Sequence, residues 1–388
     1  MLKVGLFNDS FPPTIDGVAN AVFNYATVIN EKHGVPTVIT PNYPNVYDNY
    51  DFSVYRYRSA KIMPSMPYRF GNPFSPKTIS DLSKMEFDIL HVHSPFASSV
   101  LAKEVSVFCK KRMPTVLTYH TKFDIDIDRY FDNARLNRIA RKFVRSNINQ
   151  ADEVWAVSEG TKESLRKIGY EGEIVVMPNG TDFPIGKADK WQIDEINRIY
   201  NTTEEELVFL YCGRMMWYKN IKITLDSLKI LSENGIKYKM FFVGDGPDRP
   251  SIERYAKLIG VYGNLFFTGA ITDRERVRAF FSRADLFLFP STYDTSGLVV
   301  KEAAACGCGS VLIKGSCAAE GVEDGVSGIL SERETAKSFS KAIMNAIREP
   351  EFLKEIGLGA KEKVYYSWES SVEKAVRRYE KVIEKHKK

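Results

Sequence analysis

Hydrophobic residues in the first half of the chain alternate between two kinds of pattern. Short, nearly continuous apolar runs occupy residues 2–8, 37–40, 89–93, 115–119, 153–157 and 174–177, as is typical of strands covered on both faces. Apolar positions at helical spacing fill the segments between them, at 18–31, 98–111, 136–148 and 160–168. This alternation predicts a parallel sheet with crossover helices.

The same alternation restarts after a turn-rich stretch at 178–184 and a polar segment at 186–203. Strands are predicted at 207–213, 240–244, 265–268, 286–290 and 310–314, with helices at 221–233, 251–259, 273–282 and 297–306. The tail, 334–388, is predicted as helices broken near 349–350 and 367–368. We therefore expect an α/β protein of two doubly wound domains with a cleft between them.

Composition narrows the class of protein. The 388 residues, 44% hydrophobic and 27% charged, have the balance of a folded chain, and no apolar run approaches the ~18 residues of a membrane span. A net charge of +5 is too mild for a dedicated nucleic-acid binder, so no nucleic-acid partner is expected.

The five cysteines are irregularly spaced and the N-terminus lacks the pattern of a signal peptide, which favours a reducing cytoplasm. Cys306 and Cys308 have no second ligand pair nearby in sequence, so no metal is expected there.

Ligands of doubly wound sheets bind beyond the carboxyl ends of the strands, so the loops there are the candidate sites. The first such loop leads through Gly17 into a helix at Val18. Glycine lets a ligand approach the backbone closely, and a helix N-terminus offers N–H groups and partial positive charge to a phosphate. An ordinary strand-to-helix turn explains the same residues.

Two cations follow the strand at 207–213. Arg214 comes directly after Gly213, and Lys219 lies five residues further on at a helix start. Such a pair can clamp a diphosphate, because each charge-assisted hydrogen bond contributes roughly 1.5–3 kcal/mol. Two solvated charges are the alternative. Gly244, at a later strand end, resembles part of a nucleotide loop, a weak match by itself.

A third loop carries two acids seven residues apart, Asp294 and Glu302. Gly297 lies between them at the expected start of a helix, where backbone N–H groups can face phosphate. Glu302 can accept hydrogen bonds from sugar hydroxyls, or it is an ordinary carboxylate on a helix surface. The apolar runs 286–289 and 303–305 favour burial, and a buried carboxylate needs partners.

Histidines and one acidic run complete the candidates. His120, at the end of a predicted strand, is the best placed of the five histidines to face a ligand. His91 and His93 lack a third ligand nearby, so a metal site is not favoured. The alternating acids at 124, 126 and 128 could bind a divalent cation on a nucleotide diphosphate, but in an extended chain they would share one face and repel one another. A solvated edge or an acceptor-facing loop is therefore expected.

Together these motifs resemble family 4 of the glycosyltransferases, retaining enzymes of GT-B fold, over essentially the whole chain. The matching segments are, in order, 13–17, 88–95, 118–121, 157–159, 178–180, 213–219, 244–246, 297–303 and 367–369. The expected domains are an acceptor-side and membrane-side Rossmann-like domain at 1–185 and a nucleotide-sugar domain at 186–365. The resemblance implies that a C-terminal helix, about 366–388, crosses back to complete the first domain.

The resemblance also implies how a nucleotide-sugar donor is bound without a metal or other cofactor. The donor-binding residues would be Gly17, Val18, Gly213, Arg214, Lys219, Gly244, Gly297, Leu298 and Glu302. Arg214 and Lys219 would stabilise the departing diphosphate, Glu302 would hold the ribose, and His120 would contact the transferred sugar. Asp294 stands where the family usually has Glu, one methylene longer, and is counted with the catalytic residues.

The segments 15–20 and 294–298 resemble the branch that glycosylates diacylglycerol in bacterial membranes. The expected reaction is transfer of a hexose, with UDP-hexose the family's commonest donor, to a membrane lipid at the inner face of the cell membrane. A polysaccharide, a glycan precursor or a small polyol remains open as acceptor. A nucleotide-sugar epimerase and a catalytically silent nucleotide-binding regulator remain open as other classes.

Two segments favour attachment to an anionic membrane. Residues 135–148 form an amphipathic pattern whose apolar members are Leu136, Ile139, Phe143 and Val144 and whose basic members are Arg135, Arg138, Arg141, Lys142 and Arg145. Five such cations contribute roughly 5 kcal/mol if all reach the bilayer. Residues 56–74 mix cations with the apolar side chains of Met63, Met66, Tyr68, Phe70 and Phe74. A core-facing helix and an ordinary surface loop are the alternatives.

Overall fold

The computed structural model describes residues 1–14, 16–61, 69–109, 112–130 and 133–387. The chain forms two compact units. The first comprises Met1–Asn179 together with Trp368–Lys388, and the second comprises Gly180–Ser367.

The first unit is built on a parallel sheet with the strand order β3-β2-β1-β6-β7-β8-β9, and β4 and β5 form a separate hairpin. Its elements, in chain order up to residue 179, are β1 (Leu2–Phe7), α1 (Gly17–Val28), β2 (Gly34–Pro41), β3 (Ser53–Tyr57), β4 (Ser59–Ala60), β5 (Phe70–Gly71), α2 (Pro76–Ser83), β6 (Ile89–Val92), α3 (Ala97–Phe108), β7 (Thr115–Tyr119), α4 (Phe123–Tyr130), α5 (Ala134–Ile148), β8 (Glu153–Ala156), α6 (Glu159–Lys167) and β9 (Ile174–Val176). The apolar runs become central strands because helices cover both faces of the sheet.

The second unit repeats this plan with the parallel order β12-β11-β10-β13-β14-β15. Its elements are α7 (Lys190–Tyr200), β10 (Val208–Cys212), α8 (Ile221–Glu233), β11 (Lys239–Val243), α9 (Arg249–Leu258), β12 (Leu265–Gly269), α10 (Arg274–Arg283), β13 (Leu286–Phe289), α11 (Leu298–Cys306), β14 (Gly309–Ile313), β15 (Ile329–Ser331), α12 (Ala336–Ala346) and α13 (Pro350–Lys363). All four residues of β13 are buried, as are the first four of β10.

The final helix, α14 (Trp368–Lys387), belongs to the first unit. The Tyr379 hydroxyl lies 2.6 Å from His91 Nδ1, and its ring stacks on Trp155 with a centroid distance of 5.5 Å. Arg378 donates two hydrogen bonds of 2.7 Å to the two carboxylate oxygens of Glu153. These contacts fix the helix on β6 and β8, as the resemblance implied for the C-terminal helix.

Both sheets reverse their strand order at a central strand. β2 and β6 flank β1 in the first unit, and β11 and β13 flank β10 in the second. Loops after strands on the two sides of such a reversal leave in opposite directions and open a crevice at the carboxyl ends of the strands. The loops after β1 and β6, and those after β10 and β13, are therefore where each unit can receive a ligand.

Several elements were not predicted from the sequence, and one prediction is wrong. The segment 186–203, read only as polar, contains α7, which a capping box at Asp189 begins. The acids expected on a solvated edge or loop lie in α4, because the same run also has helical spacing. Asp124 there is buried and accepts a hydrogen bond from Ser164, whereas Asp128 is exposed and pairs with Arg141.

Replacing Tyr379 by Phe should destabilise the first unit. The change leaves His91 Nδ1 without its hydrogen bond in a fully buried position, which costs about 1–3 kcal/mol. Urea unfolding at pH 7.5 measures this loss, and Tyr47→Phe, at a 94% exposed position, is the matched control. Equal stability of the two variants would contradict the assigned packing of α14.

Candidate active site

The crevice between β10 and β13 in the second unit collects most of the predicted donor-binding residues. The loop after β10 carries Arg214 and Lys219, and the loop after β13 carries Asp294 and Gly297. The side-chain amide of Asn220 donates a 3.0 Å hydrogen bond to the carbonyl of Pro290, which ties the two loops together. Strand order thus brings residues separated by more than 70 positions in the chain to one place.

Lys219 and Asp294 form an ion pair, with 2.7 Å between Nζ and Oδ1. Both side chains are largely shielded, with exposed fractions of 13% and 25%. Asp294 also accepts a hydrogen bond from the Ser291 hydroxyl. Asp294 therefore neutralises and orients the lysine that was predicted to bind a diphosphate.

Arg214 has no such partner among the residues that the structure describes. Its backbone carbonyl accepts a 3.2 Å hydrogen bond from Tyr211, but its exposed guanidinium makes no recorded contact with any described side chain. A guanidinium without an intramolecular partner presents its donors to solvent, in the geometry that suits phosphate oxygens. Arg214 is thus available to an anion entering this crevice.

Close packing requires glycine at two positions of this crevice, Gly244 and Gly297. A Cβ on Gly244 would lie 2.1 Å from the carbonyl oxygen of Gly213, so the crossing of two backbone segments by itself requires glycine there. Gly297 has φ of +54° and ψ of +39° and precedes α11. A Cβ at Gly297 would approach the Cα of Ala318 to 2.9 Å. Packing therefore accounts for both positions, and neither is evidence for a nucleotide by its residue type alone.

The N-terminus of α11 opens toward this crevice without an acid in its first turn. The first N–H groups of a helix, here those of Leu298 and Val299, have no acceptor within the helix, and they carry its partial positive charge. With Lys219 and Arg214 on the adjoining loop, this helix end adds backbone donors to two cations. The combination is suited to a diphosphate.

Glu302, one turn into α11, is buried and has a partner that the sequence did not reveal. Arg274 Nη2 lies 2.6 Å from Glu302 Oε1, and the same guanidinium binds Asp182. Burial raises the pKa of Glu302, and the positive charge and hydrogen bond of Arg274 oppose that rise. Glu302 is therefore a paired carboxylate in the interior rather than one on a helix surface, and the need of a buried carboxylate for a partner was the only signal for Arg274.

Cys212 shows that the two ion pairs flank one strand end. Burial raises the pKa of this thiol, which closes β10, and the charges of Glu302, Arg274 and Lys219 all act on it. Charges that act on one buried group lie near it. The Lys219–Asp294 pair and the Arg274–Glu302 pair therefore lie around the same strand end.

The first unit holds His120 in a buried cluster of imidazoles. His120 Nε2 lies 3.0 Å from His93 Nδ1, at the carboxyl end of β7. Burial lowers the pKa of His120 to about 3, so the ring is neutral at physiological pH. A neutral imidazole can donate or accept one hydrogen bond but carries no charge with which to hold a phosphate.

His91 and His93 do not form a metal site with the described part of the chain. Both nitrogens of His91 are used, by Thr118 at 2.7 Å and by Tyr379 at 2.6 Å. Among the described residues no group of three His, Cys, Asp or Glu side chains is arranged to hold a metal ion. Those residues also contain no helix with the length and apolar character needed to cross a membrane.

Gly17 and Val18 differ in their availability to a ligand. Asp16 Oδ1 caps α1 by accepting from the N–H groups of Val18 at 2.9 Å and Ala19 at 2.7 Å. A phosphate at Val18 would therefore have to displace this carboxylate. A Cβ on Gly17 would meet no atom within 4 Å, so packing does not demand glycine there and the backbone is open to close approach.

Comparison with known proteins identifies the chain's family. The family model described as "Glycosyltransferase Family 4" matches residues 15–183, and that described as "Glycosyl transferases group 1" matches residues 192–363. The chain therefore belongs to the glycosyltransferases, with a family 4 domain followed by a group 1 domain. This confirms the expected family and class of enzyme.

Individual relatives agree with this membership. The chain is 24% identical over 311 residues to an alpha-monoglucosyldiacylglycerol synthase of Streptococcus pneumoniae, covering 79% of this chain and 70% of that one. It is 23% identical over 365 residues to a protein of the same description from Acholeplasma laidlawii, covering 91% and 90%. A sucrose-phosphate synthase from Thermosynechococcus elongatus has the same fold, with a TM-score of 0.79 at 18% identity over 99% of this chain and 100% of that one. The expected fold class of two Rossmann-like domains is confirmed.

The buried imidazoles should make the first unit sensitive to mild acid. Burial lowers the pKa of His91, His93 and His120, so the unfolded chain binds more protons than the folded one below about pH 6.5. The free energy of unfolding should then fall as the pH falls from 6.5 to 5, by up to about 1.4 kcal/mol per pH unit for each imidazole. His120→Asn should remove about one proton from the uptake on unfolding, measured from urea unfolding across this range. An unchanged slope in the variant would contradict the assignment.

Proposed function

We propose that this glycosyltransferase moves a hexose, with retention of configuration, from UDP-hexose to a membrane lipid such as diacylglycerol. The observation that carries the proposal is the convergence of Lys219, Arg214 and the N-terminus of α11 in one crevice of the second unit. The lipid acceptor is supported by the description of the two relatives as alpha-monoglucosyldiacylglycerol synthases. The donor would be bound by residues 186–365 and the acceptor by residues 1–185 with 366–388.

A departing diphosphate explains why the crevice would need both cations and backbone amides. Departure of a nucleoside diphosphate from the sugar carbon develops negative charge on a phosphate oxygen, and preorganised cations and amides stabilise that charge. Arg214 is free to bind it at once. Lys219 would exchange the carboxylate of Asp294 for a phosphate oxygen, so Asp294 holds the lysine in position until the donor arrives.

The state of the acidic residues favours same-face substitution over a covalent double displacement. A carboxylate nucleophile has to be free to attack the sugar carbon. Glu302 is bound to Arg274 and would be taken up by the ribose, and Asp294 would keep the hydrogen bond from the Ser291 hydroxyl after Lys219 leaves it. The departing diphosphate itself would then assist removal of the proton from the acceptor hydroxyl. His120, neutral at physiological pH, would contribute a hydrogen bond to the transferred sugar.

The apolar row of α5 supports contact with a bilayer. Leu136, Ile139 and Phe143 are 51%, 57% and 50% exposed, whereas Val144 is buried in the first unit. A helix that merely packs on a core buries its apolar side chains, and this one leaves three large ones in solvent. Exposed apolar side chains beside cations are the pattern of a helix that lies in a membrane interface.

The basic residues of α5 divide into two groups. Arg141 pairs with Asp128 at 2.7 Å, and Arg145 reaches the carbonyl of Gly169 at 3.5 Å. No described residue is recorded as a side-chain partner of Arg135, Arg138 or Lys142. Only Arg141 is neutralised by an acid of the described part of the chain, so the electrostatic contribution at an anionic surface is about 4 kcal/mol rather than the roughly 5 kcal/mol expected from five free cations.

The segment 56–74 contributes less than its composition predicts. Arg56 is not a free cation, because it binds Asp48 through two hydrogen bonds of 2.7 Å and the carbonyl of Pro12 at 2.7 Å. Phe70 and Phe74 are exposed. Met63, Met66 and Tyr68 lie outside the described residues. The proposed attachment, peripheral and at the inner face of the cell membrane, therefore rests mainly on α5.

A polysaccharide or glycan-precursor acceptor and a nucleotide-sugar epimerase remain the alternatives, and one incubation separates the enzyme classes. A nucleotide sugar supplied alone should remain unchanged, whereas an epimerase would convert its sugar. Addition of diacylglycerol should release nucleoside diphosphate, whereas a transferase of another acceptor would respond only to soluble glycans. A catalytically silent binder would release none with any acceptor.

Replacing Arg214 or Lys219 by Ala should weaken the binding of UDP by about 10–150-fold, which corresponds to the roughly 1.5–3 kcal/mol of one charge-assisted hydrogen bond. Titration calorimetry measures the change. Lys222→Ala is the matched control, because this lysine lies on the next turn and binds Asp226 and Tyr255 at the surface.

Replacing Asp294 or Glu302 by Ala should impair transfer of the sugar. Wild-type turnover of both variants would show that this crevice is not the donor site.

Replacing Leu136, Ile139 and Phe143 together by Ser should abolish flotation with vesicles that contain phosphatidylglycerol. Wild-type protein should float with anionic vesicles and lose that binding when salt screens the charges or when neutral vesicles are used. Leu258→Ser with Leu358→Ser, two exposed apolar residues of the second unit, is the control. Absence of wild-type protein from both floating fractions would refute membrane attachment.

A further inference from the structure

Arg274, the first residue of α10, bridges two carboxylates of the second unit. Its Nη2 donates to Glu302 Oε1 at 2.6 Å, and its Nε donates to Asp182 Oδ2 at 2.8 Å. The guanidinium also lies 4.4 Å from the centre of the Phe183 ring. These contacts hold it from three sides, so its position relative to Glu302 is fixed.

The pairing uses the two oxygens of Glu302 unequally. Oε1 is engaged by Arg274, whereas no described residue donates a hydrogen bond to Oε2. Glu302 is only 8% exposed, and a carboxylate that buried stays ionised only with a cation beside it. An ionised oxygen accepts hydrogen bonds from hydroxyl groups, whereas a protonated carboxyl spends part of that capacity as a donor.

We propose that Arg274 is a positioning residue for the nucleoside of the donor: it fixes Glu302 through one oxygen in the ionised form, so that the other oxygen accepts hydrogen bonds from ribose hydroxyls. The inference rests on the proposed function, because it takes the ligand of Glu302 to be the ribose of a nucleoside diphosphate. Arg274 contacts neither diphosphate nor sugar in this account and acts only through Glu302.

Arg274 and Asp182 have opposite effects on the pKa of Glu302, so substitutions at the two positions test the arrangement independently. Burial raises the pKa of Glu302, Arg274 opposes that rise, and the negative charge of Asp182 adds to it. Removing Arg274 should therefore move the pKa of Glu302 further upward. Removing the charge of Asp182 should move it downward, since Arg274 then serves Glu302 alone. A purely structural role of Arg274 predicts no such opposite pair of shifts.

The deciding experiment compares UDP with 2′-deoxy-UDP by calorimetry between pH 6 and pH 9. Wild type should prefer UDP by about 10-fold throughout, the value of one hydrogen bond to a charged acceptor. In Arg274→Gln this preference should be weaker at pH 6 than at pH 9, because a raised pKa leaves less of Glu302 ionised at the lower pH. Asp182→Asn should retain the preference down to the lowest pH.

Three further variants separate positioning from folding. Arg274→Lys should restore most of the preference by returning a cation. Arg278→Gln is the matched control, because this arginine of the same helix binds the carbonyls of Gly186 and Lys187 and does not contact Glu302. Glu302→Gln should lose the preference for UDP over 2′-deoxy-UDP at every pH. The double variant Arg274→Gln with Glu302→Gln should bind UDP as Glu302→Gln alone does.

NMR of 13C-labelled glutamate reports the ionisation of Glu302 without any ligand, with the resonance assigned from Glu302→Gln. An upward shift in Arg274→Gln is expected. A Glu302 that titrates as in wild type would overturn the role of Arg274 even if UDP binds. A wild type that binds no nucleoside diphosphate, while Glu302 responds to Arg274→Gln, would instead refute the proposed function and with it the ribose as ligand.

Discussion

The ion pair between Lys219 and Asp294 is the interaction on which the proposed donor site depends. Its members lie on the loops after β10 and β13, which meet only because the strand order reverses between those strands. A lysine held by a carboxylate is placed without the loss of side-chain freedom that a ligand would otherwise have to offset. In the proposed mechanism the pair holds Lys219 in place until a phosphate oxygen of the donor replaces Asp294.

A second ion pair meets a different constraint at the same strand end. The interior that excludes water and strengthens every charge interaction also favours the neutral form of a carboxylate. Arg274 offsets the cost of burying the charge of Glu302 by pairing with it. Asp182 and Phe183 in turn hold Arg274 in position. The proposed phosphate and ribose sites thus each contain an ion pair. The Lys219–Asp294 pair would open when the donor binds, and the Arg274–Glu302 pair would persist.

The sequence predicts the sheets well and the charge pairs poorly. Continuous apolar runs such as 286–290 can only be covered strands, and glycine positions and helix starts show which loops face a ligand. Arg274 was missed because its relation to Glu302 exists only after β12 and α10 fold against α11. For the same reason the sequence did not show that Asp48 holds Arg56 or that Asp128 pairs with Arg141. The contact of Asp16 with the N–H of Val18 is different, because it is a local helix cap of a kind that sequence can signal.

A crystal structure of the protein with UDP tests the central claim most directly. The account predicts phosphate oxygens within hydrogen-bond distance of Lys219 Nζ, the Arg214 guanidinium and the first N–H groups of α11, with Lys219 released from Asp294. A diphosphate bound elsewhere, or bound in this crevice while Lys219 contacts only Asp294, would contradict it.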